Sequence, residues 1–297
     1  MGTIVIAGGT GLLGRALIEA VRLDGHRIVV LTRHPKHDHE VRWSPGQDDS
    51  SWASTLNGAD AVINLAGTSI ASGRWTAARK ASIHESRRQA TSALVRVIAD
   101  TPRPPSVFLS ASAVGYYGVR GDEPATEATP AGSDFLAEVC RDWEAIANRA
   151  SKRSRVVVLR SGVVFARHGG ALPQLALPFK LFAGGPAGTG SQFVSWIHLH
   201  DWVALVKWAL TTATIAGPLN VTAPTPVTNE ELSREIGRAL GRPSWLKAPS
   251  FALRLVLGEM ADALVLGGQR VIPEVARRNG FVFRYPTVDS ALKEIYP

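Results

Sequence analysis

The chain has 297 residues, 45% of them hydrophobic, enough to bury a large core as one broad α/β domain or as one domain with a smaller companion. No run approaches the roughly 18 uninterrupted apolar residues of a bilayer span, and the opening Met-Gly-Thr-Ile-Val-Ile enters a strand pattern at once, so no membrane partner and a cytoplasmic location are expected. The formal charge of +8 comes from scattered basic residues without a Lys/Arg run or zinc-finger spacing, so no nucleic-acid partner is expected, and the single Cys140 excludes an internal disulfide.

In chain order, short β-branched runs alternate with segments of helical period, the signature of stacked βαβ units on a parallel sheet. Strands are expected at Thr3 to Ala7, Arg27 to Leu31, Ala61 to Leu65, Val107 to Ser110 and Val156 to Leu159, with helices at Leu12 to Leu23, Ala81 to Ala99 and Asp134 to Ala150. A Gly/Pro-rich stretch follows, from His168 to Ser191, with an inserted helix around Gln174 to Phe182. The pattern returns through Trp196 to Asp201, where His198 and His200 share a face if the segment is extended and Asp201 can cap the next helix, Trp202 to Leu210. A strand at Leu219 to Val221 comes next, and Thr228 with Glu231 makes a capping box for a helix ending at Leu240. The fold class is therefore α/β, a Rossmann-type doubly wound parallel sheet with a smaller, mainly helical C-terminal domain. Residues 1–166 and 192–222 make the nucleotide-binding part, and residues 167–191 and 223–297 the smaller one.

Such sheets bind ligands beyond the carboxyl ends of their strands. After the first strand stands Ala7-Gly-Gly-Thr-Gly-Leu-Leu-Gly14, a Gly-x-x-Gly-x-x-Gly spacing that opens the first helix. Gly8 permits the turn, Gly11 lets a pyrophosphate approach the backbone, and Gly14 lets the helix pack on the sheet; Thr10, Leu12 and Leu13 of the same turn are expected to contact the cofactor with them. The second strand ends Val30-Leu-Thr-Arg33. An NAD enzyme would place a carboxylate there for the ribose, whereas Arg33 suits a 2′-phosphate, so NADP(H) is the expected cofactor. Asn64-Leu65-Ala66-Gly67 supplies small residues along the dinucleotide, and Leu109-Ser110-Ala111-Ser112 brings hydroxyls toward the nicotinamide. No His, Cys and carboxylate set has metal-ligand spacing, so no metal is expected.

Several further segments stand beside these: Leu31-Thr-Arg-His-Pro35, Asp60 to Gly67, Arg74-Trp75, Glu85-Ser-Arg87, Ser110-Ala-Ser-Ala-Val-Gly-Tyr-Tyr-Gly118, Asp134-Phe-Leu136 with Trp143-Glu144, Leu159-Arg-Ser-Gly162, Ser195-Trp-Ile-His198 with Asp201, Leu257-Gly-Glu-Met260, Gly268-Gln-Arg-Val271 and Gly280-Phe-Val-Phe283. Together they resemble the extended short-chain dehydrogenases/reductases, and within them the atypical "epimerase family" with a C-terminal domain of unknown function. The resemblance adds Glu85, Arg87, Gly162 and Val163 to the cofactor-contacting set and places a substrate pocket at Tyr116, Gln192, Trp196 and His198. It implies a small-molecule substrate, conceivably a nucleotide sugar.

The superfamily works through Tyr-x-x-x-Lys, in which positions i and i+4 share a helix face and the lysine lowers the tyrosine pKa. Aligned on Trp143-Glu144, this chain has Leu136 and Cys140 at those places, and no tyrosine in it has a lysine four residues later. Ser112 and Tyr117 are the substitute catalytic candidates; the alternative for Tyr116 and Tyr117 is packing alone. Cys140 reads as a small buried apolar residue. Two functions are consistent with this: an NADP(H)-dependent oxidoreductase or epimerase-like enzyme, and an NADP(H)-binding regulatory or redox-sensing protein that transfers no hydride.

Overall fold

The computed structural model describes residues 2–47 and 51–297. In chain order the elements are β1 Thr3–Ala7, α1 Leu12–Leu23, β2 Arg27–Thr32, β3 Glu40–Arg42, β4 Ala61–Asn64, α2 Ala77–Asp100, β5 Val107–Ala113, β6 Pro124–Ala125, α3 Phe135–Asn148, β7 Arg155–Ser161, β8 Val163–Phe165, α4 Leu172–Lys180, β9 Phe193–Val194, β10 Trp196–His198, α5 Leu199–Thr211, β11 Gly217–Val221, β12 Val227–Thr228, α6 Asn229–Leu240, α7 Ser250–Leu257, β13 Arg270–Val271, α8 Glu274–Arg278 and α9 Val288–Ile295.

Seven strands form one parallel sheet in the order β3-β2-β1-β4-β5-β7-β11. Helices cover both faces, which is why the strands read as nearly unbroken apolar runs. On one face Ile4, Ile6, Ile63, Leu109 and Leu159 pack against Leu17 of α1 and Trp202, Leu205 and Val206 of α5. On the other, Val5, Ala7, Val62, Phe108 and Val158 meet Leu94 and Ile98 of α2 and Ile146 and Ala147 of α3. Alternate residues of each strand thus serve opposite layers. Strand order reverses between β1 and β4, the switch point where such sheets open a crevice for ligand.

A second core gathers Phe165, Leu172, Ala176, Phe179, Trp196, Leu232, Ile236, Leu292 and Ile295, chiefly from α4, α6 and α9. The tail then returns to the first core through Val275, Phe281 and Phe283. The capping box forms as the sequence indicates, with the Thr228 hydroxyl accepting from the Glu231 N–H and the Glu231 carboxylate accepting from the Thr228 N–H.

Among the elements that differ from the sequence reading, three bear on how the site is held. β3 has no counterpart in it, because three residues of mixed polarity at a sheet edge carry no alternation to detect. α2 begins four residues before the expected Ala81, since the Thr76 side chain accepts from Arg79 N–H and caps it. α5 begins at Leu199, and its cap is His198, whose ring accepts from the His200 N–H. Asp201 therefore does not cap. It sits buried in the first turn and its carboxylate accepts from the N–H groups of Arg284 and Tyr285, holding the C-terminal segment.

Candidate cofactor and active site

The glycine turn is fixed by contacts that tolerate no side chain. Gly8 has φ +80°, and a Cβ there would lie 2.7 Å from the Leu65 carbonyl carbon and 2.8 Å from Ala66 N. A Cβ on Gly14 would lie 2.6 Å from Gly8 O, so the helix rests directly on the turn. Gly11 differs: its nearest neighbour is Gly8 O at 3.6 Å, and its Cβ position faces open space. Gly11 is also the N-cap of α1 and offers no side-chain acceptor, leaving the amides of the first turn, Leu12 to Gly14, free of a capping side chain. Amides so arranged favour an anion.

Beside this turn lies a cleft of about 930 Å³ lined by Gly9, Thr10, Arg15, Arg33, Lys36 and His37 among others. Arg15 donates to Thr10 O at 2.6 Å, which lays its guanidinium along the turn. Arg33 is exposed at the end of β2. Two carboxylates also line the cleft, Glu19 and Glu40. Glu40 does not replace the ribose-binding acid of an NAD site. Its Oε2 accepts from the N–H groups of Lys36 and His37, which holds its carboxyl below the usual range and ties it to the β2–β3 loop.

The β5 end corrects the catalytic reading. Ser110 and Ser112 are buried while Ala111 and Ala113 are half-buried. Period-two alternation explains this: with Phe108 packed toward α3, residues 110 and 112 turn the same way, into the protein. Ser112 Oγ donates to Glu144 Oε1 at 2.6 Å and lies against the Cys140 thiol. Glu144 is paired bidentately with Arg160, at 2.9 Å from Nε and 2.8 Å from Nη2. Tyr117 is 1% exposed; it accepts from Arg160 Nη1 and donates to Asn220 Oδ1, and burial pushes its phenol up to about 12. Ser112 and Tyr117 therefore belong to a buried network that joins β5, α3, β7 and β11, and neither hydroxyl is free to meet substrate. Tyr116 is half-buried, with the Arg160 guanidinium 3.4 Å from its ring centre.

Leu136, at the tyrosine's place, is half-buried and lies over Gly115 in the turn after β5. It shares an apolar cluster with Trp75, Met260 and Leu264, so the C-terminal segment covers it. Cys140 is buried, and burial pushes its thiol up to about 11. The two positions of the family's proton relay thus hold a leucine and a buried cysteine.

Other expected contacts are spoken for. Glu85 accepts from Arg88 and Gln89, its neighbours one turn along α2, so it points along the helix. Arg87 donates to Thr68 O and Ile83 O and stacks over Trp143, stapling the β4–α2 loop beside Gly67. Leu65 and Ala66 back the Gly8 turn. Gly162 lets the chain pass Ser195 O, which Val163 N–H bonds at 2.8 Å. Trp196 is not a pocket wall: it is 0% exposed, stacked on Phe165, and donates to Thr225 O. Nor is His198, which is buried and paired with Glu294 at 2.9 Å; burial lowers its pKa despite that partner. Gln192 bridges Ala187 O and Val265 O, linking the Gly-rich loop to the C-terminal segment.

This geometry matches known proteins along its whole length. The profile described as "NAD dependent epimerase/dehydratase family" matches residues 4–221, and that of "Domain of unknown function (DUF1731)" residues 248–295. The chain belongs to the NAD dependent epimerase/dehydratase family. Within it, the "Epimerase family protein SDR39U1 homolog, chloroplastic" of Arabidopsis thaliana is 43% identical, over 99% of this chain and 86% of that one. The human epimerase family protein SDR39U1, crystallised with NADPH, superposes with a TM-score of 0.92 at 34% identity, over 99% of both chains. The UDP-N-acetylglucosamine 4-epimerase of Bacillus cereus has a TM-score of 0.78 at 21% identity, covering 100% of this chain and 98% of that one, and shares the fold. None of the helices described here is long and apolar enough to cross a membrane.

Proposed function

We propose that this family member binds NADP(H), with the diphosphate against the Gly8 to Gly14 turn and the 2′-phosphate in the basic cleft at Arg33. One observation carries the reading: a glycine turn closed to side chains at Gly8 and Gly14 but open at Gly11, next to a cleft lined by Arg15, Arg33 and Lys36. The NADPH in the crystal structure of human SDR39U1 supports it. A Rossmann-type fold by itself says little about chemistry.

Beyond binding, the reading is an oxidoreductase of epimerase-like fold acting on a small molecule in the crevice under Leu136. NADPH held by the Gly8 to Gly14 turn and Arg33 would supply a hydride. The chain's part is to orient that cofactor and, through Trp75, Leu136 and Met260, to keep water from it. Sugar epimerisation by transient oxidation needs a group that takes and returns a hydroxyl proton, and Leu136 and the buried Cys140 offer none. The acceptor is therefore one that takes its proton from bulk solvent after the hydride has moved and the product is released, or from the substrate itself. The second reading, a regulator that senses NADP(H) without hydride transfer, is favoured by the same missing relay. Stopped-flow oxidation of bound NADPH against quinones, activated alkenes, simple ketones and nucleotide sugars separates the two. Turnover with the first two classes alone supports the oxidoreductase; no turnover with any class supports the regulator; fast reduction of a simple ketone contradicts both.

A further inference from the structure

Large apolar side chains that stand exposed are not scattered over this protein. Eleven are found among the described residues, and eight of them fall in two short stretches, 177–182 and 245–256. The stretches lie side by side. Leu246 N–H donates to Gly184 O, Ala248 N–H to Pro186 O and Gly188 N–H to Ala248 O, and the Arg242 guanidinium sits 4.5 Å over the Phe182 ring. α7 starts beside the same loop, Ser250 lying next to Gly188: its sequence is Ser-Phe-Ala-Leu-Arg-Leu-Val-Leu, yet none of its residues is buried. Leu181, Phe182, Trp245, Phe251 and Leu255 are each 59% to 75% exposed. Isolated exposed apolar residues are ordinary, but a contiguous group of this size marks a contact surface.

Charge indicates what covers it. Residues 166–191 and 241–258 contain no Asp or Glu, but they carry Arg167, Lys180, Arg242, Lys247 and Arg254. Of the carboxylates that border them, Asp262 is held by Arg254 and Glu259 by Lys80; Glu230, beside Gly190, is exposed at the margin. A tryptophan, two phenylalanines and leucines set among cations of which Arg254 alone is shown paired with a carboxylate, with acids only at the rim, is the pattern of a surface that lies on anionic lipid: apolar tips enter the acyl boundary while lysine and arginine reach the phosphates.

We propose that the face formed by the end of α4, the 242–248 segment and α7 docks on an anionic membrane surface. A surface of this kind lies on one leaflet and does not cross it. The surface is separate from the glycine turn and the cleft at Arg33, so its test does not depend on cofactor binding.

Co-sedimentation of the full chain with phosphatidylcholine vesicles, and with vesicles that also contain phosphatidylglycerol, tests this. Binding is expected only to the anionic vesicles and should weaken by at least about tenfold as salt is raised. Two double variants separate the contributions: Trp245→Ser with Phe251→Ser removes the apolar tips, and Arg242→Glu with Lys247→Glu reverses the charge. Each should lower binding by at least about tenfold, with an unchanged melting temperature showing the fold intact. Absent binding, or equal binding to both vesicle types, overturns the proposal. So does a dimer seen in sedimentation equilibrium that Trp245→Ser with Phe251→Ser dissolves, since a second copy would then be the occupant.

Discussion

The two halves of the crevice are built from different materials. Between β1 and β2 the site consists of backbone: a glycine turn, uncapped amides and a rim of cations. Beyond the switch point, at the ends of β5 and β7, it consists of side chains, and those with chemistry turn away from the crevice. Ser112, Glu144, Arg160 and Tyr117 satisfy one another inside the protein. At the ends of β5 and β7 polar side chains serve as structural support, while Leu136, at the tyrosine's place, joins an apolar cluster.

Substitutions that break one half should spare the other. The largest effect is expected at Glu144→Ala, which strands the buried Arg160 charge and should cost about 3–5 kcal/mol of folding stability, read from chemical denaturation. At the other half, Gly11→Ala should cost no more than about 1 kcal/mol of stability, the difference between the two residues as a helix N-cap, since its Cβ meets only Gly8 O at 3.6 Å, yet lower NADPH affinity by about tenfold or more in a fluorescence titration, because the methyl stands where the diphosphate approaches. Arg33→Ala should reduce NADPH affinity by roughly tenfold and leave NADH affinity alone, as loss of a charged hydrogen bond to phosphate predicts. Tyr117→Phe should cost about 1 kcal/mol or somewhat more of stability, because Asn220 and Arg160 each lose a partner, without altering NADPH affinity. If Tyr117 were instead a proton shuttle, turnover and not stability would change.

The smallest expected effect is a pH slope. Burial raises the Glu127 carboxyl above the ordinary range, so the folded protein holds that proton to higher pH than the unfolded chain does. Its contribution is complete below the unfolded pKa and is lost as pH rises through the folded one. Glu127→Gln should therefore gain stability relative to the parent as pH is raised from 4 to 7 (~3 pH units), measured by denaturation at each pH.

Legibility in the sequence followed the same division. The glycine turn and the central strands could be read because backbone requirements restrict residue type directly: only glycine fits at Gly8 and Gly14, and only apolar runs suit a strand covered on both faces. β3 escaped because an edge strand of three residues needs no such run. Ser112 was misplaced because a hydroxyl next to a strand end looks available, whereas the alternation from Phe108 already assigns positions 110 and 112 to the α3 side. Arg160 carries a signal of its own. An arginine inside Val-Val-Val-Leu-Arg-Ser-Gly-Val-Val requires a buried anion, and Glu144 in the middle of an amphipathic helix is that anion. Trp196 and His198 could not be assigned without the second core, since only the placement of α4, α6 and α9 shows which way β10 faces.

Calorimetric titration of the purified chain with NADPH and NADH in parallel is the most direct measurement. NADPH should bind at least about tenfold more tightly, with the difference abolished by Arg33→Ala. Heat from neither nucleotide, or tighter binding of NADH, would contradict a phosphate-reading cleft at the end of β2.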